Sequence, residues 1–290
     1  MQNPVKRVAA VHDLSGFGRA SLTVVIPILS TMGMQVCPLP TAVLSTHSKF
    51  SDYRFIDLTE YLEDYIRHWK DLNIQFDAIY SGFLGSPRQI NLVADFMEYF
   101  SHKDQFIVVD PVLGDDGALY GPLGEDMVRE MQFLVTKADV ITPNLTEAAL
   151  LLNRPYNPQI SEAEMKEWIY ELSDKGPGVV IVTSVPEIEQ GKETSVIAYD
   201  KKGEIFWKVL CEYMPANYPG TGDAFTSVIV GSLLQGDSLP IALDRAVQFI
   251  SLGVRATFGY LHNANEGILL ERILSSLQSS VRLSSYQILD

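Results

Sequence analysis

The chain has 290 residues, 47% of them hydrophobic and 20% charged, and a formal net charge of −14. That composition suits one large α/β unit with a sizeable core, and the acidic balance sets the chain against nucleic acid and anionic membrane surfaces as partners. No apolar run reaches the length of a membrane span, the opening MQNPVKRVAAVHD has too short an apolar stretch for a signal peptide, and two distant cysteines, Cys37 and Cys211, predict a reducing, cytoplasmic setting without disulfides.

In chain order, VKRVAAVH (5–12) and QVCPLPT (35–41) read as strands, with a helix between them over 20–32 that stops near Gly33. Asp57 and Glu60 give a capping-box-like start to a helix over 57–72. FDAIYSG (76–82) is a strand, and Pro87 begins a helix to about Phe100. FIVVDP (106–111) and DVITPN (139–144) are buried strands; Asn144 with Glu147, and Ser161 with Glu164, mark two further helix starts. GVVIVTS (178–184) is a strongly β-branched strand. TSVIAYD (194–200) and EIFWKVL (204–210) form a hairpin, and helices follow over 223–235, 239–257 and 265–279.

Strands alternating with helices predict an α/β fold: a mostly parallel central sheet with helices on both faces. No linker or repeat divides the chain, so 1–290 is read as a single domain. In such sheets ligands sit beyond the carboxyl ends of the strands. Four polar clusters fall at such ends: VHDLSGFGRAS (11–21), VVDPVLGDDG (108–117), ITPNLTEA (141–148) and YPGTGDAF (218–225), with a weaker fifth in IVTS (181–184). The glycine-rich loops lack the lysine of a P-loop, and SGFGRAS does not fit the dinucleotide fingerprint, which disfavours a Rossmann oxidoreductase. Taken singly, GTGD is a turn with a capping aspartate, VVDP a strand end, Asn144 with Glu147 a cap, and Asp13 a turn former. Two glycines around a threonine also give phosphate access to backbone amides at a helix N-terminus, and the following carboxylate can take a proton from an attacking hydroxyl. Gly222 is expected at a φ that only glycine tolerates.

The joint order of these clusters resembles the ribokinase-like superfamily of small-molecule kinases, in the branch that phosphorylates vitamin B6 and hydroxymethylpyrimidine. YPGTGDAF looks like the family's anion-hole and base motif, DPVLGD its strand-end acidic motif and TPNLTEA its metal and triphosphate motif. SGFLGS (81–86) and PLPTAVLSTHS (38–48) are similar to stretches of the B6 kinases. The resemblance implies phosphorylation by ATP of the 5′-hydroxymethyl group of pyridoxal, pyridoxamine or pyridoxine. Asp223 is the expected general base, with Gly220, Thr221 and Gly222 forming the anion hole. Asp13, Ser15, His47 and Phe83 are expected at the substrate, and Asn144, Thr183 and Ser184 at ATP. Asp110, Glu147, Asp115 and Thr142 are expected around Mg²⁺ and a further K⁺, and a homodimer is implied. The segment 45–56 and the loop after Asp115 are expected to close over ligand.

Three positions depart from the B6 pattern: Asp13 where serine is common, Phe83 for tyrosine, and Thr46 for asparagine. HDLSGFGRAS is closer to the hydroxymethylpyrimidine kinases of thiamine synthesis, which stand as the alternative; a non-catalytic ligand-binding protein on a kinase fold is an alternative of another class. His12, His68, His102 and His262 read as structural or solvated, and Trp69, Trp168 and Trp207 as packing.

Overall fold

In β1 (Arg7–Ser15), Val8, Ala9, Ala10 and Val11 have no exposed surface. A strand buried on both faces belongs in the middle of a covered sheet. A computed structural model describes residues 4–121, 123–187, 193–212, 218–260, 263–278 and 285–289. The remaining strands are β2 (Gln35–Leu44), β3 (Phe55–Asp57), β4 (Ala78–Ser81), β5 (Phe106–Val109), β6 (Gly114–Asp115), β7 (Ala118–Leu119), β8 (Val140–Ile141), β9 (Val179–Pro186), β10 (Glu193–Asp200), β11 (Ile205–Glu212) and β12 (Tyr286–Leu289). The helices are α1 (Leu22–Thr31), α2 (Thr59–Asp71), α3 (Pro87–Phe100), α4 (Glu125–Leu134), α5 (Leu145–Leu151), α6 (Glu162–Asp174), α7 (Thr221–Gln235) and α8 (Leu239–Phe258).

Ten strands make one sheet in the order β12-β11-β10-β9-β8-β5-β4-β1-β2-β3. The run from β9 to β2 is parallel, and β10, β11, β12 and β3 add antiparallel edges. β6 and β7 pair separately as a small antiparallel hairpin. Alternation along the strands sends side chains to two cores. Ala9, Val11, Ile79, Val109 and Val180 face a core that includes Leu62 of α2, Phe96 of α3, Met131 of α4 and Trp168 of α6. Val8, Ala10, Tyr80, Val108 and Ile181 face another, with Ile28 of α1, Val228 of α7 and Ala246 of α8. Helix α7 is buried without interruption from Ala224 to Ser232, which explains its apolar run. Gly231 lets α1 approach it, because a Cβ there would stand 2.4 Å from the sulfur of Met32.

The expected mostly parallel α/β sheet, the hairpin and the helices expected to end near Phe100, Gln235 and Thr257 are all present, the last of them running one residue further, to Phe258. Several details differ. β1 runs three residues beyond His12, so Asp13 and Ser15 sit on the strand itself. Asp57 precedes α2 and accepts the Thr59 amide at 2.8 Å, but the helix begins at Thr59 with Leu58 as its cap residue. The expected helix over 265–279 is, within the described residues, a string of 3₁₀ turns. Ile268, Leu270, Ile273 and Leu277 are buried there by successive turns lying against α8 and then α1, a spacing that mimics helical periodicity. Helix α4, the short β3, β6 and β7, and the edge strand β12 are additions; α4 shows Met127, Val128, Met131 and Leu134 at helical spacing directly behind a glycine-bearing stretch that reads as loop. Trp69 and Trp168 pack in the core as expected. His102 is tied to the Phe76 carbonyl at 2.9 Å, and His262 lies outside the described residues.

Candidate active site

The carboxyl ends of β1, β4, β5, β8 and β9 open onto one cavity of about 770 Å³, closed on one side by the N-terminus of α7. Its wall brings together Asp13, His47, Phe83, Asp110, Asp115, Thr142, Asn144, Glu147, Thr183, Ser184 and the run Gly220–Asp223. Ser15 is the exception among the expected residues: it is fully buried, off the wall, and its hydroxyl donates to Asp13 Oδ2 at 3.2 Å. It stands two residues further along the same strand, where its hydroxyl supports the Asp13 carboxylate.

The two glycines of GTGD have different reasons. Gly220 precedes α7 with φ 77°, and a Cβ on it would lie 2.2 Å from the Arg19 carbonyl oxygen. This is a left-handed turn pressed against another backbone, which excludes side chains. Gly222 is helical, and a Cβ there would come no closer than 3.9 Å, to Asp110 Oδ2. Its missing side chain leaves open space facing Asp110, so the expected glycine-only φ is not found at Gly222; it belongs to Gly220 instead. The first intrahelical bond runs from the Ala224 amide to the Gly220 carbonyl. The amides of Thr221, Gly222 and Asp223 precede that ladder and, with the helix dipole, favour an anion at this end.

Asp223 is the third residue of α7, and Ser21 holds it: the Ser21 amide donates to Oδ2 at 2.8 Å. The same serine donates its hydroxyl to Asp13 Oδ1 at 2.5 Å. One residue thus bridges the two carboxylates, in a backbone conformation (φ 53°, ψ −131°) that a non-glycine residue rarely adopts. Ser21 carried no separate sequence signal; its role comes from a turn that places chain position 21 beside position 223. Burial pushes the Asp223 carboxyl up to about 7, helped by the charge of Asp13 and opposed by the Ser21 amide. Burial likewise raises Asp13, against the hydroxyls of Ser21 and Ser15.

On the opposite wall, burial raises Asp110 well above the usual carboxylate range, with the charge of Asp223 adding to it and the Thr142 hydroxyl opposing. Glu147 is raised by burial and by Asp110. Glu147 and Asn144 form the capping box of α5, and Glu147 also accepts the Leu113 amide at 3.2 Å. Asn144 Nδ2 donates to the Gly114 carbonyl at 2.9 Å, and the Thr146 hydroxyl accepts the Gly117 amide. The hairpin after β5 is therefore anchored to α5 by side chains at Gly114 and Gly117. Among the described residues no group of three or more His, Cys, Asp or Glu side chains can hold a metal directly. The donor set suits a hydrated cation: buried carboxylates that repel one another across open space, with Glu147 already receiving two amides. Lys49 is the one Lys or Arg among the residues described on the wall, so an anionic ligand there relies on amides and counter-cations.

At the far end, Ser184 follows Thr183 with φ 58°, a wall residue at positive φ like Ser21 and Asp116. His47 lies at the other end. Its Nδ1 accepts the Lys49 amide at 3.3 Å, so Nε2 carries the proton and donates to the Asn265 carbonyl at 2.6 Å. Asn265 Nδ2 returns a bond to the Lys49 carbonyl. The 45–54 segment is thus pinned to the 264–266 turn, and His47 offers the cavity a ring face rather than a free nitrogen.

A family model described as phosphomethylpyrimidine kinase matches residues 29–267. The fold matches, with a TM-score of 0.96, a Bacteroides thetaiotaomicron protein described as a phosphomethylpyrimidine kinase and crystallised with pyridoxal; the two are 59% identical, over 98% of this chain and 100% of that one. Pyridoxal kinase from Lactobacillus plantarum matches with a TM-score of 0.86 and 30% identity, over 95% and 97% of the two chains. Pyridoxal kinase PdxY of Burkholderia lata is 26% identical over 263 residues, 88% of this chain and 90% of its own.

Proposed function

The chain belongs to the phosphomethylpyrimidine kinase family, and on that premise we propose that it is a pyridoxal kinase of vitamin B6 salvage, transferring the γ-phosphoryl of ATP to the 5′-hydroxymethyl group of pyridoxal, pyridoxamine or pyridoxine. The fold is the ribokinase-like one of its pyridoxal kinase relatives. The observation that carries the reading is Asp223, a carboxyl raised to about 7, standing at the open amides of α7 where five strand ends converge. The pyridoxal bound to a 59% identical relative supports the vitamer.

Phosphoryl transfer asks the protein for positioning and charge stabilisation more than for covalent chemistry. Asp223 accepts the proton of the attacking hydroxyl. The amides of Gly220, Thr221, Gly222 and Asp223 surround the transferring group, and the absent side chain of Gly222 lets it reach them. Asp110 and Glu147, with Asp115 and Thr142 beside them, would hold hydrated Mg²⁺, which offsets phosphate charge when bound; K⁺ belongs to the same acidic wall. Asn144, Thr183 and Ser184 face the nucleotide, with Asn144 acting through the Gly114 contact it already makes. Asp13, His47 and Phe83 face the vitamer ring, and Ser15 supports Asp13. The single domain of residues 1–290, a cytoplasmic location and a homodimer are parts of the same reading; no described helix is long and apolar enough to cross a membrane.

The family description favours one second reading, a hydroxymethylpyrimidine kinase. A panel of B6 vitamers and hydroxymethylpyrimidine with ATP and Mg²⁺, read by product mass, tests both. Pyridoxal phosphate, pyridoxamine phosphate or pyridoxine phosphate as the main product is expected; phosphorylation of the pyrimidine alone would overturn the B6 assignment, and no phosphorylated product at all would favour a non-catalytic binder.

A further inference from the structure

Neighbours on a strand point to opposite faces of the sheet. Asp13 goes to the cavity wall, and His12 goes beneath the first turn of α7. His12 is completely buried, and neither ring nitrogen has a hydrogen-bond partner among the described residues. Its ring meets Tyr80 of β4 edge to face at 4.4 Å. Gly82 covers it so closely that a Cβ there would lie 2.2 Å from Nδ1. The glycine after β4 is thus the counterpart of the histidine in β1. An apolar side chain of similar volume would pack against Tyr80 without stranding a buried donor, so packing alone does not account for a histidine.

What the ring faces is the carboxylate of Asp223. His12 Nδ1 lies 3.8 Å from Oδ1, the oxygen that the Ser21 amide does not hold. Burial lowers the imidazole pKa to about 3, so the ring is neutral and carries one N–H. The other ionisable groups around this point are Tyr80 on β4, Asp110 directly after β5 and Asp13 on β1. The Tyr80 hydroxyl is directed to the Asp223 backbone carbonyl at 3.4 Å, not to its carboxylate.

We propose that His12 is a positioning residue for Asp223: its Nδ1–H closes on Oδ1 when substrate and nucleotide seat, so that two donors, this imidazole and the Ser21 amide, fix the carboxylate with its remaining lone pairs toward the substrate hydroxyl. The required approach is about 1 Å, from 3.8 Å to ordinary hydrogen-bond length. This inference rests on the reading of Asp223 as the base.

Ring-nitrogen NMR of the wild-type protein with a vitamer, Mg²⁺ and a non-hydrolysable ATP analogue reads the tautomer without turnover. The Nδ1–H form of His12 is expected, and the Nε2–H form overturns the proposal. In kinetics, His12→Phe keeps a ring but no donor and should lower kcat about 10- to 100-fold, with both KM values within about twofold. His12→Asn returns a donor near the Nδ1 position and should recover most of that loss. Equal losses in the two variants, tracking equal falls in Tm, mark a structural histidine and overturn the proposal. In an Asp223→Asn background His12→Phe should cause little further loss; a full additional loss overturns it. Near-wild-type turnover of Asp223→Asn alone overturns the base reading and this inference with it, whereas an inactive Asp223→Asn beside a fully active His12→Phe overturns this inference only. Should His12→Phe fail to fold, the tautomer and the asparagine variant decide.

Discussion

Asp223 and Asp13 are held by one serine, and the proposed function gives them different work. Asp223→Asn keeps the shape and the acceptor for the Ser21 amide but removes proton acceptance. Turnover should fall by ~10²–10⁴-fold with nucleotide binding retained; isothermal titration beside a rate assay checks both halves, and turnover near wild type would sink the assignment. Asp13 is the position where the B6 pattern commonly has serine. Its carboxylate lies on the cavity wall, accepts two hydroxyls and is raised by burial, so a cationic partner would restore its charge. The ammonium of pyridoxamine supplies one, and charge-assisted bonds are roughly twice as strong as neutral ones. Asp13→Ser should therefore move the kcat/KM ratio from pyridoxamine toward pyridoxal by about five- to thirtyfold, equivalent to ~1–2 kcal/mol. An unchanged ratio, with both rates lowered alike, would mean that Asp13 only supports Ser21.

At the scale of elements, the start of α7 separates two kinds of glycine. Gly222→Val fills open space beside Asp110 and should abolish most activity, more than 100-fold, with Tm within a few degrees of wild type. Gly220→Ala meets the Arg19 carbonyl in a left-handed conformation and should lose ~2–4 kcal/mol of stability by denaturant unfolding. If the two variants lost stability alike, this turn would be a structural feature only. The same scale shows what could be read beforehand. The strands with continuous β-branched or small apolar residues, such as β1, β5 and β9, were legible, because burial on both faces leaves no other use for such a run. The polar ends of those strands were legible for the same reason, since ligands in this architecture gather there. The two-residue strands β6 and β7 were not, because their pairing depends on tertiary anchors from Asn144 and Thr146. Ser21 and His12 were not legible either. One acts through a strained backbone and the other through proximity to a residue 211 positions away by number, and neither leaves a local pattern.

For the whole molecule, Asp13, Asp110, Glu147 and Asp223 all bind protons more tightly folded than unfolded, while buried His12 and His47 bind them more weakly. Raised carboxyls subtract stability as pH rises through their folded values, and lowered imidazoles subtract it as pH falls through 6.5. Asp223, raised to about 7, and Asp110 and Glu147, raised well above the carboxylate range, lose stability across this window, while the two imidazoles act only near and below 6.5, so the ligand-free protein should melt at a higher temperature at pH 6 than at pH 8. Mg²⁺ with ATP replaces those protons with bound charge and should raise Tm at both values, more at pH 8; differential scanning fluorimetry reads this, and a ligand-free Tm that falls from pH 8 to pH 6 would contradict it. The order of the chain adds a consequence for synthesis. The hydrogen bond from Ser21 to Asp223 spans 202 residues, and the parallel strands are complete by Pro186, before α7 and α8 exist. On the ribosome, the sheet face carrying Val8, Ala10, Tyr80 and Val108 waits without those two helices until residue 258 has emerged. A nascent chain stalled before Thr221 presents that face to its neighbours, so chaperone demand and aggregation during translation should be concentrated in the last quarter of synthesis.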